Sequence, residues 1–225
     1  MLNYEVDPAL LLPFVPAGTQ LDSWNGRVFV SLVGFRFLKT RLLGCLPIPM
    51  HSNFDEVNLR FYVRRQVNGE VRRGVVFIRE LVPRWAIAFV ARTVYNENYL
   101  ALPMAHELRS VPGNRLSVAY RWRNAKRWSE INLETSGPPE LPVVGSVEQF
   151  ITEHYWGYAA QPAGGCVEYR VAHPSWRVWQ APHSAFQGDA EKLYGKEIAA
   201  LLQREPQCAF LAEGSPVSVM RGQKL

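Results

Sequence analysis

The chain has 225 residues, of which 48% are hydrophobic, and it carries a formal net charge of +5. This length and apolar content allow a substantial buried core, and we expect a single domain over residues 1–225. The cationic residues are scattered along the chain and form no basic run, which argues against a dedicated nucleic-acid-binding protein.

The first predicted element is a short helix near the N-terminus. Asp7 can cap it, Pro8 suits its first turn, and Pro13 favours its end. A strand is predicted over residues 27–38, where apolar side chains alternate and then run continuously. The proline-rich residues 46–49 are interpreted as a loop.

The clearest local signal is a β-hairpin formed by residues 57–67 and 71–79. Asn68 and Gly69 lie between these segments, and both residue types readily adopt the positive φ angles of a tight turn. Further strands are expected at residues 85–92, 115–122 and 127–133. Proline and glycine between residues 136 and 145 are expected to interrupt the sheet.

Ser146, with Gln149 three positions later, predicts a capped short helix. A second helix is predicted over residues 189–203, where four leucine and isoleucine residues share one side. The remaining strands are expected at residues 166–171, 176–180, 207–213 and 217–221. Many short strands and few helices predict a mainly β protein whose antiparallel sheet curls or splits into two layers, because an open sheet would expose an apolar face.

Three motifs carry a family resemblance. They are Thr152-Glu153-His154-Tyr155-Trp156-Gly157-Tyr158, Ala212-Glu213-Gly214-Ser215-Pro216-Val217 and Val6-Asp7-Pro8-Ala9-Leu10-Leu11. In these motifs the chain resembles the YqjF-like proteins, an uncharacterised family of the acetoacetate decarboxylase-like superfamily. The resemblance covers nearly the whole chain and implies the curved antiparallel double-sheet, or cone-like β-barrel, of acetoacetate decarboxylase.

The resemblance also raises a chemical question, because acetoacetate decarboxylase uses a lysine to form an iminium with a β-keto acid. That lysine lies in a Gly-aromatic-Pro-Lys-Lys type motif. The counterpart here is Asn96-Glu97-Asn98-Tyr99-Leu100, which places Tyr99 and Leu100 where the two lysines would stand. Neither side chain can form an imine. We therefore predict no Schiff-base decarboxylase activity, and whether the chain is an enzyme stays open.

Proton-transfer chemistry has four candidate residues, Glu97, Tyr99, Glu153 and His154, because an imidazole or a buried carboxyl group can titrate near neutrality. Glu97, Asn98 and Tyr99 could also bind a polar ligand, or form a loop in which the asparagines satisfy the local backbone. For Glu153 and His154 the simpler interpretation is a helix-to-strand corner, where their hydrogen bonds orient the turn.

Alternation along the first strand of the hairpin puts Asn58, Arg60 and Tyr62 on one face. If that face turns inward, Arg60 is a candidate clamp for a carboxylate; if it turns outward, Arg60 is a solvated cation. His106 and Asn98 complete the ligand-binding candidates, and for His106 a surface or packing role is the alternative.

No cofactor is expected. Cys45, Cys166 and Cys208 are far apart and odd in number, and no histidine pair has the spacing of a helical metal motif, so we expect neither disulfides nor a metal site. Phosphate-binding and dinucleotide-type glycine motifs are missing from the sequence. No secretion signal or membrane-spanning apolar run is apparent, which favours a cytoplasmic protein without a membrane partner.

These observations favour a protein that binds a small carboxylate- or carbonyl-containing molecule in a β-enclosed cavity. One alternative is a lyase or isomerase that acts on an oxo acid through proton transfer by Glu, His or Tyr side chains. The other alternative is a non-enzymatic interaction module. A homo-oligomer is compatible with each of these hypotheses.

Overall fold

A computed structural model describes residues 1–39, 41–42, 46–47, 53–83, 98–161 and 164–225. Most of these residues lie in strands, which confirms the mainly β prediction. The strands are β1 (Leu2–Glu5), β2 (Gln20–Leu21), β3 (Phe29–Phe37), β4 (Arg41–Leu42), β5 (Leu46–Pro47), β6 (Phe54–Val67), β7 (Glu70–Val82), β8 (Tyr99–Ala101), β9 (Met104–Val111), β10 (Arg115–Asn124), β11 (Arg127–Glu140), β12 (Trp156–Ala160), β13 (Cys166–Ala172), β14 (Val178–Gln187), β15 (Cys208–Ala212), β16 (Ser218–Val219) and β17 (Gln223–Lys224). The helices are α1 (Pro8–Leu11), a 3-10 turn (Leu12–Phe14), α2 (Val147–Thr152), α3 (Glu191–Tyr194) and α4 (Lys196–Leu202).

Fifteen of these strands form one continuous sheet, in the order β16-β13-β12-β7-β6-β3-β1-β15-β14-β11-β10-β9, with β17, β2 and β8 attached to β13, β6 and β7. The sheet is mixed, because β7 runs parallel to both β12 and β8. Within the described chain the two ends of this order do not pair, so the two layers are halves of a single sheet that does not close. β4 and β5 pair with each other alone.

The two halves of the sheet face each other across the main hydrophobic core. Leu59 of β6 is buried in this core together with Trp122 of β10 and Phe186 of β14. Gly34 of β3 permits the close approach of the halves, because a Cβ atom there would lie 2.6 Å from Cδ2 of Tyr120. The curling of the sheet thus buries one face of β3 and β6.

A second core covers the opposite face of the same two strands. Phe29 of β3 and Tyr62 of β6 pack there with Phe150 of α2 and Phe210 of β15. β6 is therefore covered on both faces, and any polar side chain in its middle is withdrawn from water.

Several local predictions are confirmed. Asp7 caps α1 by accepting a hydrogen bond from the Ala9 N–H, at 2.9 Å. The hairpin of β6 and β7 turns at Asn68 and Gly69, whose φ angles are +49° and +85°. The predicted capping of α2 by Ser146 is also present.

Other boundaries differ from the predictions. Leu46–Pro47 forms the short strand β5, whereas a loop was expected, and residues 48–49 and 85–92 lie outside the described residues. β11 continues to Glu140, because register shifts in its pairing with β14 accommodate the glycine and prolines. The helix predicted over residues 189–203 is divided into α3 and α4 by Gly195, whose φ of +83° is incompatible with a continuous helix.

Candidate functional site

A row of polar side chains projects from one face of β6. Glu56, Asn58, Arg60 and Tyr62, here called the inner polar row, alternate with apolar residues that enter the main core. Glu56, Asn58 and Tyr62 are buried and Arg60 is partly buried. The polar face of this strand therefore turns inward, which is the first of the two alternatives that the sequence left open for Arg60.

A β-bulge adds a second carboxyl group to this row. The register set by the hairpin turn continues as far as the Arg60–Phe77 pair, and the pairing then shifts by one residue at Ile78. A shift of one residue moves every later side chain to the other face of its strand. Glu80 consequently lies opposite Asn58 and shares the face of the inner polar row.

Glu56 is almost fully buried, with 2% of its surface exposed. Its carboxyl group accepts hydrogen bonds from Asn58 Nδ2 at 3.0 Å and from the Tyr99 hydroxyl at 3.3 Å. Among the described residues no cation forms an ion pair with it. Burial raises the pKa of Glu56 to about 7, against the opposing effects of those two hydrogen bonds and of the Arg60 charge. Glu56 can therefore gain or lose a proton near neutral pH.

Two buried polar atoms of the row are left without partners in the described part of the chain. They are Oδ1 of Asn58, an acceptor, and Nε of Arg60, a donor. The Arg60 guanidinium lies 5.9 Å from the centre of the Tyr62 ring. Because buried polar groups are nearly always hydrogen-bonded, this donor and acceptor are suited to a polar molecule held between them.

His154 closes one end of the row. Its ring packs against Tyr62 at a centroid distance of 4.6 Å and against Phe150 at 5.2 Å. Its Nε2 lies 3.6 Å from Oδ2 of Asp22, longer than a hydrogen bond, and neither ring nitrogen has a hydrogen-bond partner among the described residues. Burial lowers the pKa of His154 to about 4, so the ring is neutral at physiological pH.

The segment around Tyr99, which the sequence singled out, reaches the inner polar row from β8. Tyr99 joins the site through its hydroxyl, whereas Asn98 has a structural role: its Nδ2 donates to the carbonyl oxygen of Ile78, at 2.9 Å. Asn98 therefore holds the bulge that positions Glu80, and it supports the local-backbone interpretation of this loop. Glu97 lies outside the described residues.

Two other predicted residues lie away from the inner polar row. Glu153 accepts hydrogen bonds from Gln149 Nε2 at 3.2 Å and from Ser175 Oγ at 2.9 Å, and it secures the end of α2. His106 lies in a separate surface groove of about 420 Å³, where its Nδ1 is 2.9 Å from Oδ2 of Asp55. Neither residue contributes to the site on β6.

Sequence reasoning did not identify Glu56 or Glu80. Glu56 could have been predicted, because it lies two positions before Asn58 in the same alternating pattern. Glu80 could not have been predicted, because an uninterrupted hairpin would place it on the apolar face of the sheet. Only the bulge brings it to the row.

None of the lysines is buried as the inner polar row is. All five are described and exposed: Lys39, Lys126, Lys192, Lys196 and Lys224. Tyr99 and Leu100, which the resemblance aligned with a lysine pair, lie in β8 and are partly buried.

Two further properties of the described residues concern the requirements for metal binding and for membrane-spanning helices. In the described ranges, no group of three His, Cys, Asp or Glu side chains is close enough to hold a metal ion. The helices among those residues include none with the length and apolar content needed to cross a bilayer.

The fold of the chain resembles that of acetoacetate decarboxylase-like proteins. It is similar to the acetoacetate decarboxylase of Legionella pneumophila, at 12% identity and a TM-score of 0.64, over 100% of this chain and 82% of that one. It is also similar to the enduracididine biosynthesis enzyme MppR complexed with pyruvate, at 14% identity and a TM-score of 0.65, over 99% and 86% of the two chains. At such identities the likeness shows the fold alone.

Residues 1–216 match the family model DUF2071, described as an uncharacterized conserved protein, and the chain belongs to this family. It is similar to the uncharacterized protein YqjF of Bacillus subtilis (strain 168), with 24% identity over 154 residues. That alignment covers 68% of this chain and 61% of YqjF, less than two thirds of the relative. The recognition of the YqjF-like family from three motifs is thereby confirmed.

Proposed function

We propose that this protein binds a small carboxylate- or carbonyl-containing molecule against the inner polar row, in the cytoplasm, without forming a Schiff base. The observation that carries the proposal is the inward-facing Arg60, whose buried Nε has no partner in the described chain and lies on the same face as the unpaired Asn58 Oδ1. A guanidinium binds a carboxylate through paired hydrogen bonds, and such bonds are stronger where water is excluded.

The free-energy cost of leaving buried polar atoms without hydrogen-bond partners supports this proposal. A buried donor or acceptor without a partner costs about 1–3 kcal/mol, so a row with two such atoms favours a bound molecule. MppR, which has the same fold, is recorded in complex with pyruvate, and a 2-oxo acid is therefore the first ligand to test. The buried polar groups also argue against an interaction module with a purely aromatic interior.

The exposure of all five lysines supports the absence of Schiff-base chemistry. An amine attacks a carbonyl only in its neutral form, and an enzyme keeps a lysine neutral by burial or by a neighbouring positive charge. The five exposed lysines lack the burial that would hold an amine neutral. Incubation with acetoacetate and borohydride should therefore leave the mass of the protein unchanged, and a reduced adduct on any lysine would contradict the proposal.

A second candidate function is proton transfer on an oxo acid, favoured by Glu56. The Glu56 carboxylate would take a proton from the carbon beside the substrate carbonyl and return it to the enolate, while Arg60 holds the substrate carboxylate. Its pKa of about 7 suits both steps, and Tyr99 orients the accepting oxygen. Return of the proton to a different carbon is isomerase chemistry, and expulsion of a leaving group from the β-carbon of the enolate is lyase chemistry; neither forms a covalent intermediate.

Binding is tested by titrating the protein with pyruvate and 2-oxobutyrate and following ligand-observed NMR signals. Arg60→Gln should weaken binding at least about tenfold, because a charge-assisted pair is lost. Arg64→Gln is the matched control, since Arg64 lies on the same strand but is exposed. Equal affinities for both variants and the parent protein would exclude Arg60 as the clamp.

Proton transfer is tested separately by deuterium exchange at the carbon beside the carbonyl of the bound oxo acid. Glu56→Gln should abolish the exchange without abolishing binding, whereas Glu153→Gln should leave both unchanged. Exchange that persists in Glu56→Gln would exclude Glu56 as the proton acceptor and leave the binding proposal standing.

A further inference from the structure

Strand β9 is an edge strand with features that natural proteins usually avoid. It ends the sheet order and, among the described strands, pairs only with β10. Its eight residues contain no proline and no register shift, and five of them, Ala105, His106, Leu108, Arg109 and Ser110, are exposed. Leu108 in its middle is 63% exposed. A long, regular and exposed edge of this kind is a template for another strand.

The backbone geometry shows which groups are free at this edge. The Arg123 N–H donates to the Pro103 carbonyl oxygen at 2.9 Å, so these two residues form a hydrogen-bonded pair in the register of β9 and β10. Hydrogen-bonded and non-hydrogen-bonded pairs alternate along antiparallel strands. The N–H and C=O groups of His106, Leu108 and Ser110 therefore point away from β10, toward the open edge.

We propose that β9 pairs antiparallel with β9 of a second copy of this chain, about a two-fold axis at Leu108. Leu108 then faces Leu108 of the other copy, and His106 faces Ser110. His106, Leu108 and Ser110 then all lie in hydrogen-bonded pairs, and each such pair exchanges two N–H···O bonds. The two sheets continue into each other through this contact.

Charge selects this register. It places Glu107 opposite Arg109 of the other copy, twice by symmetry, in the non-hydrogen-bonded positions where opposite side chains are closest. The neighbouring registers that still direct the free backbone groups at each other would place Glu107 against Glu107, or Arg109 against Arg109. Directly opposed like charges are destabilising, so the sequence Glu107-Leu108-Arg109 disfavours both slips.

The apolar side of the contact agrees with the same register. Leu108 lies opposite Val118 in the β9–β10 pair, and Val118 is buried in the main core. Contact between the two Leu108 side chains would extend this apolar face across the axis and remove an exposed leucine from water. Arg109, with 69% of its side chain exposed, is free to turn from Glu107 of its own chain to that of its partner.

Sedimentation equilibrium of the purified chain tests the proposal. The parent protein should be a dimer. Arg109→Glu should raise its dissociation constant at least about tenfold, because two opposite-charge contacts become like-charge contacts. The double variant Glu107→Arg/Arg109→Glu should restore the dimer, since the charges remain complementary after the exchange. Lys126→Glu, an equal charge change in the exposed β10–β11 turn, is the control and should not alter the mass.

Hydrogen exchange provides a second measurement that does not depend on any variant. In the dimer, the amides of His106, Leu108 and Ser110 should be protected and should lose that protection on dilution below the dissociation constant. A monomeric parent protein with rapidly exchanging amides at these positions would overturn the proposal. A dimer that is insensitive to Arg109→Glu, or that the double exchange fails to restore, would overturn it as well.

Discussion

Glu56 and Glu168 are both buried in the same sheet, but their partners differ in kind. Glu168, in β13 and 4% exposed, is contacted by Arg72 Nη1 at 2.6 Å, by Arg65 Nη1 at 3.1 Å and by the Tyr158 hydroxyl at 2.9 Å. Glu56, in β6 and 2% exposed, has only the amide of Asn58 and the hydroxyl of Tyr99 as described hydrogen-bond donors.

This difference in partners distinguishes Glu168, whose role is structural, from Glu56, to which we assign a role in function. Two guanidinium groups compensate the buried Glu168 carboxylate, which joins β13 to the β6–β7 hairpin. No contacting cation in the described chain compensates Glu56, and its proton is held by the low polarity of its surroundings. A carboxyl group of this second kind costs stability once it ionises, and its retention in the core is the reason to assign it a function.

The largest effect is expected from Glu168→Ala. Removal of this carboxylate leaves two arginines and a tyrosine without their acceptor, and the free energy of unfolding should fall by about 3–5 kcal/mol. Urea denaturation measures the change. Glu70→Ala is the control, because Glu70 also lies near Arg72, at 3.7 Å, but is exposed and should contribute less than about 1 kcal/mol. Equal losses for the two variants would refute the structural role of Glu168.

Glu56→Gln should instead reveal a pH dependence. The folded-state pKa of Glu56, about 7, exceeds its ordinary value of 4.5, so its stabilising contribution is complete below pH 4.5 and is lost as the pH rises through 7. The glutamine variant has no such loss. Its stability relative to the parent protein should therefore increase by about 3 kcal/mol between pH 4.5 and pH 8. A constant difference across this range would show that the pKa of Glu56 is the same in the folded and the unfolded protein.

His154→Phe should show a dependence of similar size and opposite direction. The folded-state pKa of His154, about 4, is below its ordinary value of 6.5, so its contribution is complete above pH 6.5 and is lost as the pH falls through 4. Phenylalanine keeps the packing against Tyr62 but does not titrate. The variant should gain about 3 kcal/mol relative to the parent between pH 7 and pH 4. A parallel decline of both proteins in acid would contradict this assignment.

The smallest effect is expected from Asn98→Ala. The variant loses the hydrogen bond to the Ile78 carbonyl oxygen, which should cost about 1 kcal/mol and loosen the bulge. Because looser packing admits water to the row, the pKa of Glu56 should move down toward 4.5, as followed by carbon NMR of its carboxyl group. An unchanged titration would show that the bulge does not depend on Asn98.

Local chemistry explains why parts of the fold could be predicted. The turn at Asn68 and Gly69, the cap at Asp7 and the cap at Ser146 each depend on side-chain and backbone geometry within a few residues. The alternation that groups Asn58, Arg60 and Tyr62 is equally local, and the structure confirms that they share a face. The family motifs carried the resemblance to the acetoacetate decarboxylase-like fold, which the structure also confirms.

The remainder of the site depends on contacts between distant segments. Whether Arg60 faces water or the interior was decided by the second core, where α2 and β15 cover that face of β6. The break at Gly195 likewise reflects packing, since Leu193 and Ile198 on either side of it are both buried in the main core. The isolated helical pattern did not predict this break.

The sequence by itself determined the hairpin, its register as far as Phe77, and the supply of only five lysines, because these follow from residue identity and short-range geometry. The tertiary structure alone decided that Glu80 joins Glu56 and that both are withdrawn from water. The shift at Ile78 is held by Asn98, 20 residues away along the chain, and the burial requires strands and a helix that are still more distant. Burial and register are collective properties of packed segments, so no short stretch of sequence contains them.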